Sequence, residues 1–333
     1  MRYLAIFFLV VSSLQAMSKP VSGLEQIGVR TLQFEDIQRG GRPVVVEVWY
    51  PTQQTGPFDS PEDSVWIHPK EIRDVSPSEG RHALIVMSHG HGGDRRDRSW
   101  LVEHLVGQGY VVASVEHYGN SWRSYNPLLS LRFWDRTKDV SFAISKLLKE
   151  PFFKKKIDRR RVGFIGYSLG GMTGLALAGA RAQNLQAIAK KIQGSIPEID
   201  DAMVESLDFK EGYASFYDRR IKAMVLLSPA AYIFPPQSLK SITMPIALVT
   251  SEGDEVLPFK EHAYPVIQYL NHARLKILKD TVSHYVFLNR VSEQGKGVIR
   301  DEIQSEIIQR DRLSVHQEVG QFVVDFFKEH LGL

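Results

Sequence analysis

The stretch Gly163-Phe164-Ile165-Gly166-Tyr167-Ser168-Leu169-Gly170-Gly171-Met172-Thr173-Gly174 joins an apolar run to a segment of small residues through the pattern Gly-x-Ser-x-Gly. The residues before the turn are typical of a buried parallel strand, and apolar residues recur at helical spacing after it. A serine in so tight a strand-to-helix turn has a strained backbone, so the residues two positions away must be small, and both are glycine. We interpret Ser168 as a nucleophile raised into solvent, with the backbone N–H of Leu169 facing a developing oxyanion. The alternative is that Ser168 only caps the helix.

The chain has 333 residues, of which 43% are apolar and 24% are charged, and this composition is typical of a globular protein with a sizeable core. We expect one domain over residues 17–333. The net charge of +3 is spread along the sequence, and a basic run at 154–161 is interpreted as a solvated helix end and loop rather than a surface for an acidic partner. No nucleic-acid partner is expected.

Residues 1–16 have the layout of a secretory signal peptide. Arg2 is followed by an apolar run from Leu4 to Val11 and then by small and polar residues up to Ala16. The run is too short for a stable membrane anchor, and no later segment is apolar enough to span a bilayer. We therefore expect a periplasmic or secreted protein. The sequence contains no cysteine, which excludes disulfides, a cysteine nucleophile and thiolate metal ligands.

Strand-like and helix-like segments alternate through most of the chain. Strands are predicted at 21–34, 43–50, 83–87, 110–115, 162–165, 223–227, 246–250 and 275–278, the first two as an antiparallel edge. Helices are predicted after Ser99 as an N-cap, over 133–149, after Ser168 and near the C-terminus. The alternation predicts an α/β fold with a mostly parallel central sheet and helices on both faces. Residues 52–80 are predicted as a long loop, and 182–220 as an insertion that could cover the site as a cap or form an outer helix pair.

The hydroxyl of Ser168 needs a base, and the base needs an acid that fixes its tautomer and stabilises the imidazolium. In sheets of this kind the acid and then the histidine follow the serine along the chain. Asp254 follows a glycine turn at the carboxyl end of the strand 246–250, where catalytic loops lie. Glu252 and Glu255 are the alternatives.

His284 follows the last predicted strand and precedes an apolar helical turn, which is the position expected of the base. The other downstream histidines fit less well. His262 and His272 precede that strand, and His316 and His330 lie in the predicted terminal helices.

The glycine-rich segment Ser88-His89-Gly90-His91-Gly92-Gly93 follows a central strand. Such a turn lets the backbone approach a substrate and present N–H groups to a negative oxygen. Because His-x-His alone is poor evidence of a metal site, we interpret His89 and His91 as residues that orient the loop.

Together these motifs resemble the α/β-hydrolase superfamily, and within it the dienelactone-hydrolase-like group related to platelet-activating factor acetylhydrolases. The motifs are Val48-Trp49-Tyr50-Pro51-Thr52, Ser88-His89-Gly90-His91-Gly92, Gly166-Tyr167-Ser168-Leu169-Gly170-Gly171, Gly253-Asp254 and Ser283-His284-Tyr285-Val286-Phe287. The resemblance covers nearly all of the mature chain. It implies the backbone N–H of His91 as a second oxyanion donor, and no metal or organic cofactor. The resemblance implies esterase chemistry. It does not imply lactone specificity, because dienelactone hydrolases have a cysteine where this chain has Ser168.

The predicted function is that of a secreted serine hydrolase, which forms an acyl-enzyme through Ser168, His284 and Asp254. By resemblance, its substrates are small-molecule or lipid-derived esters, with short acyl groups among them. Amide, peptide and thioester hydrolysis use the same triad and are alternatives, as is a non-catalytic binding protein on the same scaffold. The sequence assigns no oligomeric state.

Overall fold

The computed structural model describes residues 26–59, 65–193, 198–270, 272–279, 282–304 and 311–332. The predicted signal peptide, residues 1–16, lies outside the described residues, as does the segment 194–197 of the predicted insertion. The strands are β1 (Gln26–Asp36), β2 (Arg42–Thr52), β3 (Glu71–Arg73), β4 (His82–Ser88), β5 (Val111–His117), β6 (Ile157–Tyr167), β7 (Ile221–Leu227), β8 (Ile246–Ser251) and β9 (Arg274–Leu278).

The described strands form one sheet in the order β3-β1-β2-β5-β4-β6-β7-β8-β9. Strands β4 to β9 pair in parallel, whereas β1 pairs antiparallel with β2, and β2 pairs antiparallel with β5. The predicted mostly parallel sheet is therefore confirmed. Because the carboxyl ends of parallel strands meet at one edge, the segments that follow β4, β6, β8 and β9 converge there.

The helices are α1 (Trp100–Val106), α2 (Pro127–Ser130), α3 (Phe133–Leu147), α4 (Leu169–Leu177), α5 (Leu185–Gln193), α6 (Asp201–Glu205), α7 (Pro236–Lys240), α8 (Ala263–Tyr269), α9 (Asp301–Gln304) and α10 (Arg312–Leu331). Short 3-10 helices cover Ile37–Arg39, Lys210–Tyr213 and His284–Phe287.

Helices cover both faces of the sheet, as the alternation of strands and helices predicts. Successive residues of a strand point to opposite faces, so β6 places Phe164 in the core beneath α3 and α4, and Ile165 in the core beneath α1 and α10. Both side chains are almost fully buried. This explains why residues 162–167 of β6 form a continuous apolar run rather than an alternating one. The basic run at 154–161 is predicted as a helix end and loop, but the structure places its second half in β6, where Arg159 and Arg160 are exposed.

Two further local predictions differ from the structure in part. The predicted loop 52–80 contains β3, which pairs in parallel with β1 and forms the outer edge of the sheet beyond the predicted antiparallel pair. The buried carboxylate of Glu71 in β3 accepts hydrogen bonds from Trp49 Nε1 at 2.6 Å and Arg96 Nη2 at 2.5 Å, which explains a strand with so little apolar sequence. Helix α1 begins after Ser99, as predicted, but without the predicted cap. Ser99 makes no capping hydrogen bond to α1; its Oγ lies 3.0 Å from Nδ1 of His68.

Candidate active site

Ser168 lies in the sharp turn between β6 and α4, with a φ of 53° in the left-handed region. A Cβ on Gly166 would lie 2.2 Å from the carbonyl oxygen of Gly170, and a Cβ on Gly170 would lie 2.1 Å from that of Ser88. Both glycines are therefore required by close backbone approach. The side chain of Ser168 makes no capping hydrogen bond to α4, so the helix-cap alternative has no support in the structure. Strain of this kind at a half-buried serine marks a functional position.

Asp254 and His284 are joined by a hydrogen bond of 2.7 Å between Oδ2 of the carboxylate and Nδ1 of the imidazole. The two residues are 4% and 2% exposed, so this contact is shielded from water. Oδ1 of Asp254 accepts the backbone N–H groups of Val256 and Leu257 at 3.1 and 2.7 Å. One carboxylate oxygen is thus anchored to its own loop, and the other fixes the tautomer of His284 with Nε2 free of the ring proton.

Glu255, one of the two alternative acids, binds the histidine loop in another way. Its Oε1 accepts the hydroxyl of Ser283 at 2.8 Å, and its Oε2 accepts the backbone N–H of His284 at 3.1 Å. Glu255 therefore holds the backbone of the loop and leaves the imidazole to Asp254. The side chain of Glu252, the other alternative, is exposed.

Tyr167 connects the serine turn to the histidine loop. Its ring centroid lies 5.0 Å from that of His284, and its hydroxyl donates to the carbonyl oxygen of His284 at 3.2 Å. Within the described residues Oγ of Ser168 has no hydrogen-bond partner, and the side chain faces a cavity. A catalytic serine–histidine hydrogen bond often tightens only when substrate is bound, so this geometry is compatible with a pair that acts together.

His91 and Leu169 both line the cavity beside Ser168. In the part of the chain that the structure describes, neither of their backbone N–H groups has an acceptor. The loop of His91 is held by Asn120, whose amide lies 3.1 Å from Nδ1 of His91. Two unengaged N–H groups beside a serine hydroxyl form an arrangement that can bind an oxyanion.

The cavity has a volume of about 210 Å³ and is mostly apolar. The described lining contains no acidic or basic side chain other than the imidazole of His91. Helix α5 of the predicted insertion forms one wall, through Leu185, Ile188, Ala189 and Ile192. The other large apolar and aromatic side chains of the wall are Leu131, Phe133, Leu169, Met172, Phe209, Tyr232, Ile233, Val256 and Leu257.

A second serine, histidine and aspartate set lies behind the glycine-rich loop, and sequence reasoning missed it. Oγ of Ser88 is 2.8 Å from Nε2 of His117, and Nδ1 of His117 is 3.0 Å from Oδ2 of Asp139. All three residues are completely buried. Because no substrate reaches Ser88, this set braces the loop, whereas Ser168 opens onto the cavity.

The protonation states of Asp139 and His117 in this buried set follow from their surroundings. Burial alone would raise the pKa of Asp139, but its hydrogen bonds to His117 and Arg42 lower that pKa well below its usual range. Burial, together with the charge of Arg136, lowers the pKa of His117 to about 3. The aspartate is therefore ionised and the histidine neutral, so His117 donates to Asp139 through Nδ1 and accepts from Ser88 through Nε2.

Two of the other downstream histidines, His316 and His262, do not line the cavity, although His262 lies behind its wall. His316 stacks on Trp100 with ring centroids 4.0 Å apart, and its Nε2 lies 2.7 Å from the carbonyl oxygen of Val286. His262 packs against Tyr232. The described ranges contain no cluster of three or more residues that could hold a metal ion, and none of their helices is long and apolar enough to cross a bilayer.

Known proteins resemble this chain in one segment of the sequence and in the fold. A family model of platelet-activating factor acetylhydrolase, isoform II, matches residues 72–126, which contain the glycine-rich loop and β5. A solved ferulic acid esterase from Streptomyces cinnamoneus superposes with a TM-score of 0.64, covering 94% of this chain and 92% of its own at 19% identity. The chain has the α/β-hydrolase fold. The segment match confirms the resemblance to the platelet-activating factor acetylhydrolase group over residues 72–126. No significant match is found among curated protein sequences.

Proposed function

We propose that this protein of the α/β-hydrolase fold is a serine carboxylic ester hydrolase. Oγ of Ser168 attacks the ester carbonyl carbon while Nε2 of His284 takes its proton, and the backbone N–H groups of Leu169 and His91 bind the oxyanion. His284 then protonates the departing alcohol, leaving an acyl group on Ser168. Water, deprotonated by His284, attacks this acyl-enzyme and releases the acid.

The observation that carries the proposal is the buried hydrogen bond between Asp254 and His284. Tyr167 ties the loop of His284 to the strained turn of the cavity-lining Ser168. Asp254 keeps Nδ1 of His284 protonated, which leaves Nε2 as the proton acceptor, and it stabilises the imidazolium that forms during attack. Burying an ionisable pair such as Asp254 and His284 has a desolvation cost that a buried apolar pair does not have. Proteins usually bear this cost at functional sites.

The cavity wall supports an uncharged, apolar acyl group as the preferred substrate. Its apolar side chains would exclude water from the acyl group, and nothing in the described lining would pair with a charged group on it. The modest volume favours short acyl chains, of free small molecules or of lipid-derived esters.

Labelling with a fluorophosphonate probe tests the nucleophile. We expect the wild-type protein to label and Ser168→Ala neither to label nor to hydrolyse p-nitrophenyl acetate. Ser88→Ala is the matched control: it removes the hydroxyl of the other serine–histidine–aspartate set but leaves Ser168, so the variant should still label, at a rate that reflects the lost brace of the loop. Labelling that survives in Ser168→Ala would overturn the assignment.

A panel of matched p-nitrophenyl ester, thioester and anilide substrates tests the bond that is cleaved. We expect kcat/KM to be highest for short esters. A preference for the anilide or thioester would replace esterase by amidase or thioesterase with the same residues.

We also propose export, on the basis of residues 1–16. Expression in a bacterium followed by N-terminal sequencing of the periplasmic and medium fractions should give a mature chain that begins at Met17. An uncleaved chain confined to the cytoplasm would contradict it.

A further inference from the structure

We propose that Arg136, on α3, is a positioning residue that sets the spacing between the two oxyanion donors, His91 and Leu169. This role rests on the proposed esterase function and deepens it. Arg136 is 2% exposed and does not line the cavity, so it acts through other residues.

One set of contacts of Arg136, here called its first arm, is made with the loop that carries His91. Its Nη1 donates to Oδ1 of Asn120 at 2.5 Å, and Nδ2 of the same Asn120 lies 3.1 Å from Nδ1 of His91. Its Nη2 donates to the carbonyl oxygen of His89. The guanidinium therefore holds the loop both through a side chain and through the backbone.

The other arm reaches the first residue of α4. Nε of Arg136 donates to Oγ1 of Thr173 at 3.2 Å, and this hydroxyl donates to the carbonyl oxygen of Leu169 at 3.1 Å. One rigid, planar group is thus connected to both His91 and Leu169, which line the cavity and whose N–H groups have no acceptor among the described residues. Arginine suits this position because its donors diverge in a fixed fork.

The buried serine set supports the guanidinium from behind. Nη2 of Arg136 also donates to Oγ of Ser88 at 3.2 Å, and Ser88 is in turn bonded to His117. Among the described residues Arg136 forms no ion pair within 4.0 Å, and the acceptors it contacts are all neutral. A buried cation held only by neutral acceptors is a poor source of stability, which favours a role in positioning.

The test compares substitutions in each arm. Thr173→Val removes the hydroxyl while keeping the shape, and Thr173→Ser restores it; Asn120→Ala breaks the other arm. Arg136→Lys keeps the charge but loses the fork. Arg132→Lys, at a partly exposed arginine one turn earlier that contacts Asp135 and Glu211, is the matched control.

The readouts are kcat and KM on p-nitrophenyl acetate and the inhibition constant of a trifluoromethyl ketone, whose adduct with Ser168 places an oxyanion between the two donors. We expect kcat to fall about tenfold in Thr173→Val and in Asn120→Ala, and roughly a hundredfold in Arg136→Lys, with KM within about twofold, because small displacements of donors cost that much. The inhibition constant should rise in parallel with the loss of kcat/KM. Thr173→Ser and Arg132→Lys should behave as wild type.

If both Thr173→Val and Asn120→Ala kept the wild-type kcat and inhibitor affinity, the positioning role of Arg136 would be overturned, while the proposed esterase function would stand. Loss of folding in Arg136→Lys, seen by circular dichroism, leaves those two variants to decide. A wild-type protein that neither hydrolyses esters nor binds the ketone would overturn the proposed function itself.

Discussion

The carboxylate of Asp254 holds the imidazole of His284, at 2.7 Å, while the adjacent carboxylate of Glu255 holds only the backbone and Ser283 of the same loop. Asp254→Asn would put an amide donor against Nδ1 and favour the wrong tautomer, so we expect kcat to fall by about 10³ to 10⁴. Glu255→Gln keeps an acceptor oxygen and should cost about tenfold or less. Steady-state kinetics on p-nitrophenyl acetate compares the loss of kcat in the two variants. A larger loss in Glu255→Gln than in Asp254→Asn would make Glu255 the acid.

Gly170 should tolerate no side chain. Its Cβ would meet the backbone carbonyl of Ser88 at 2.1 Å, and neither chain segment can move without shifting the turn of Ser168. We expect Gly170→Ala to lower the free energy of unfolding by about 3 kcal/mol and to abolish activity.

Gly174→Ala is the matched control in the same helix. There the nearest atoms belong to the side chains of Leu226 and Phe164, which can shift, and alanine favours the helix. The expected loss is about 1 kcal/mol or less in urea unfolding. Equal losses in Gly170→Ala and Gly174→Ala would contradict the required backbone approach.

Helix α5 should limit the length of the acyl group. Ala189 is buried in the cavity wall, so Ala189→Phe fills the space, whereas Gln186→Phe adds the same ring on the exposed side of α5. We expect Ala189→Phe to lower kcat/KM for p-nitrophenyl hexanoate about tenfold or more while acetate hydrolysis changes little. An unchanged chain-length profile would show that the acyl group does not bind along α5.

The buried histidines should make the protein sensitive to acid. Burial lowers the pKa of His117 and that of His316 to about 3, so both stay neutral in the folded state while the unfolded chain takes up protons below about pH 6.5. Stability is therefore fully present above that pH and falls as the pH drops toward 3. Each histidine should cost about 2 kcal/mol between pH 7 and pH 5.

His316→Phe isolates one of these two contributions, because it keeps a ring on Trp100 and removes the titrating group. Urea unfolding at both pH values should show a drop about 2 kcal/mol smaller than in wild type, even if the variant is less stable at pH 7. An unchanged drop would mean that His316 takes up its proton without unfolding.

The parts of this molecule that follow from local sequence could be predicted. Gly166 and Gly170 flank Ser168 at fixed spacing, and stretches buried on both faces, such as residues 162–167 of β6, are continuous apolar runs. Strand β3 could not be predicted, because its Glu71 is held by Trp49 and Arg96, which are distant in sequence.

The sequence contains a signal that Arg136 is buried. This residue lies at helical spacing between Phe133 and Val140 on the buried stripe of α3, and a charged residue in such a stripe indicates a buried network. Its partners could not be inferred, because Asn120 and Thr173 come from separate loops and helices that only the folded sheet brings together. The position of the predicted insertion likewise depends on packing; its lid function stays a prediction.

Helix α10 packs against β6, the strand that leads into the turn of Ser168, although α10 is synthesised long after β6. Gly163 in β6 is so close to Phe327 that an added Cβ would meet its ring at 2.7 Å, and Arg161 donates to the carbonyl oxygen of Gly332, 171 positions later. One face of β6 is therefore only partly covered, on the side of α1, until α10 has left the ribosome. Contacts of such long sequence separation form slowly, so a newly made chain would stay open and catalytically silent until its final helix docks.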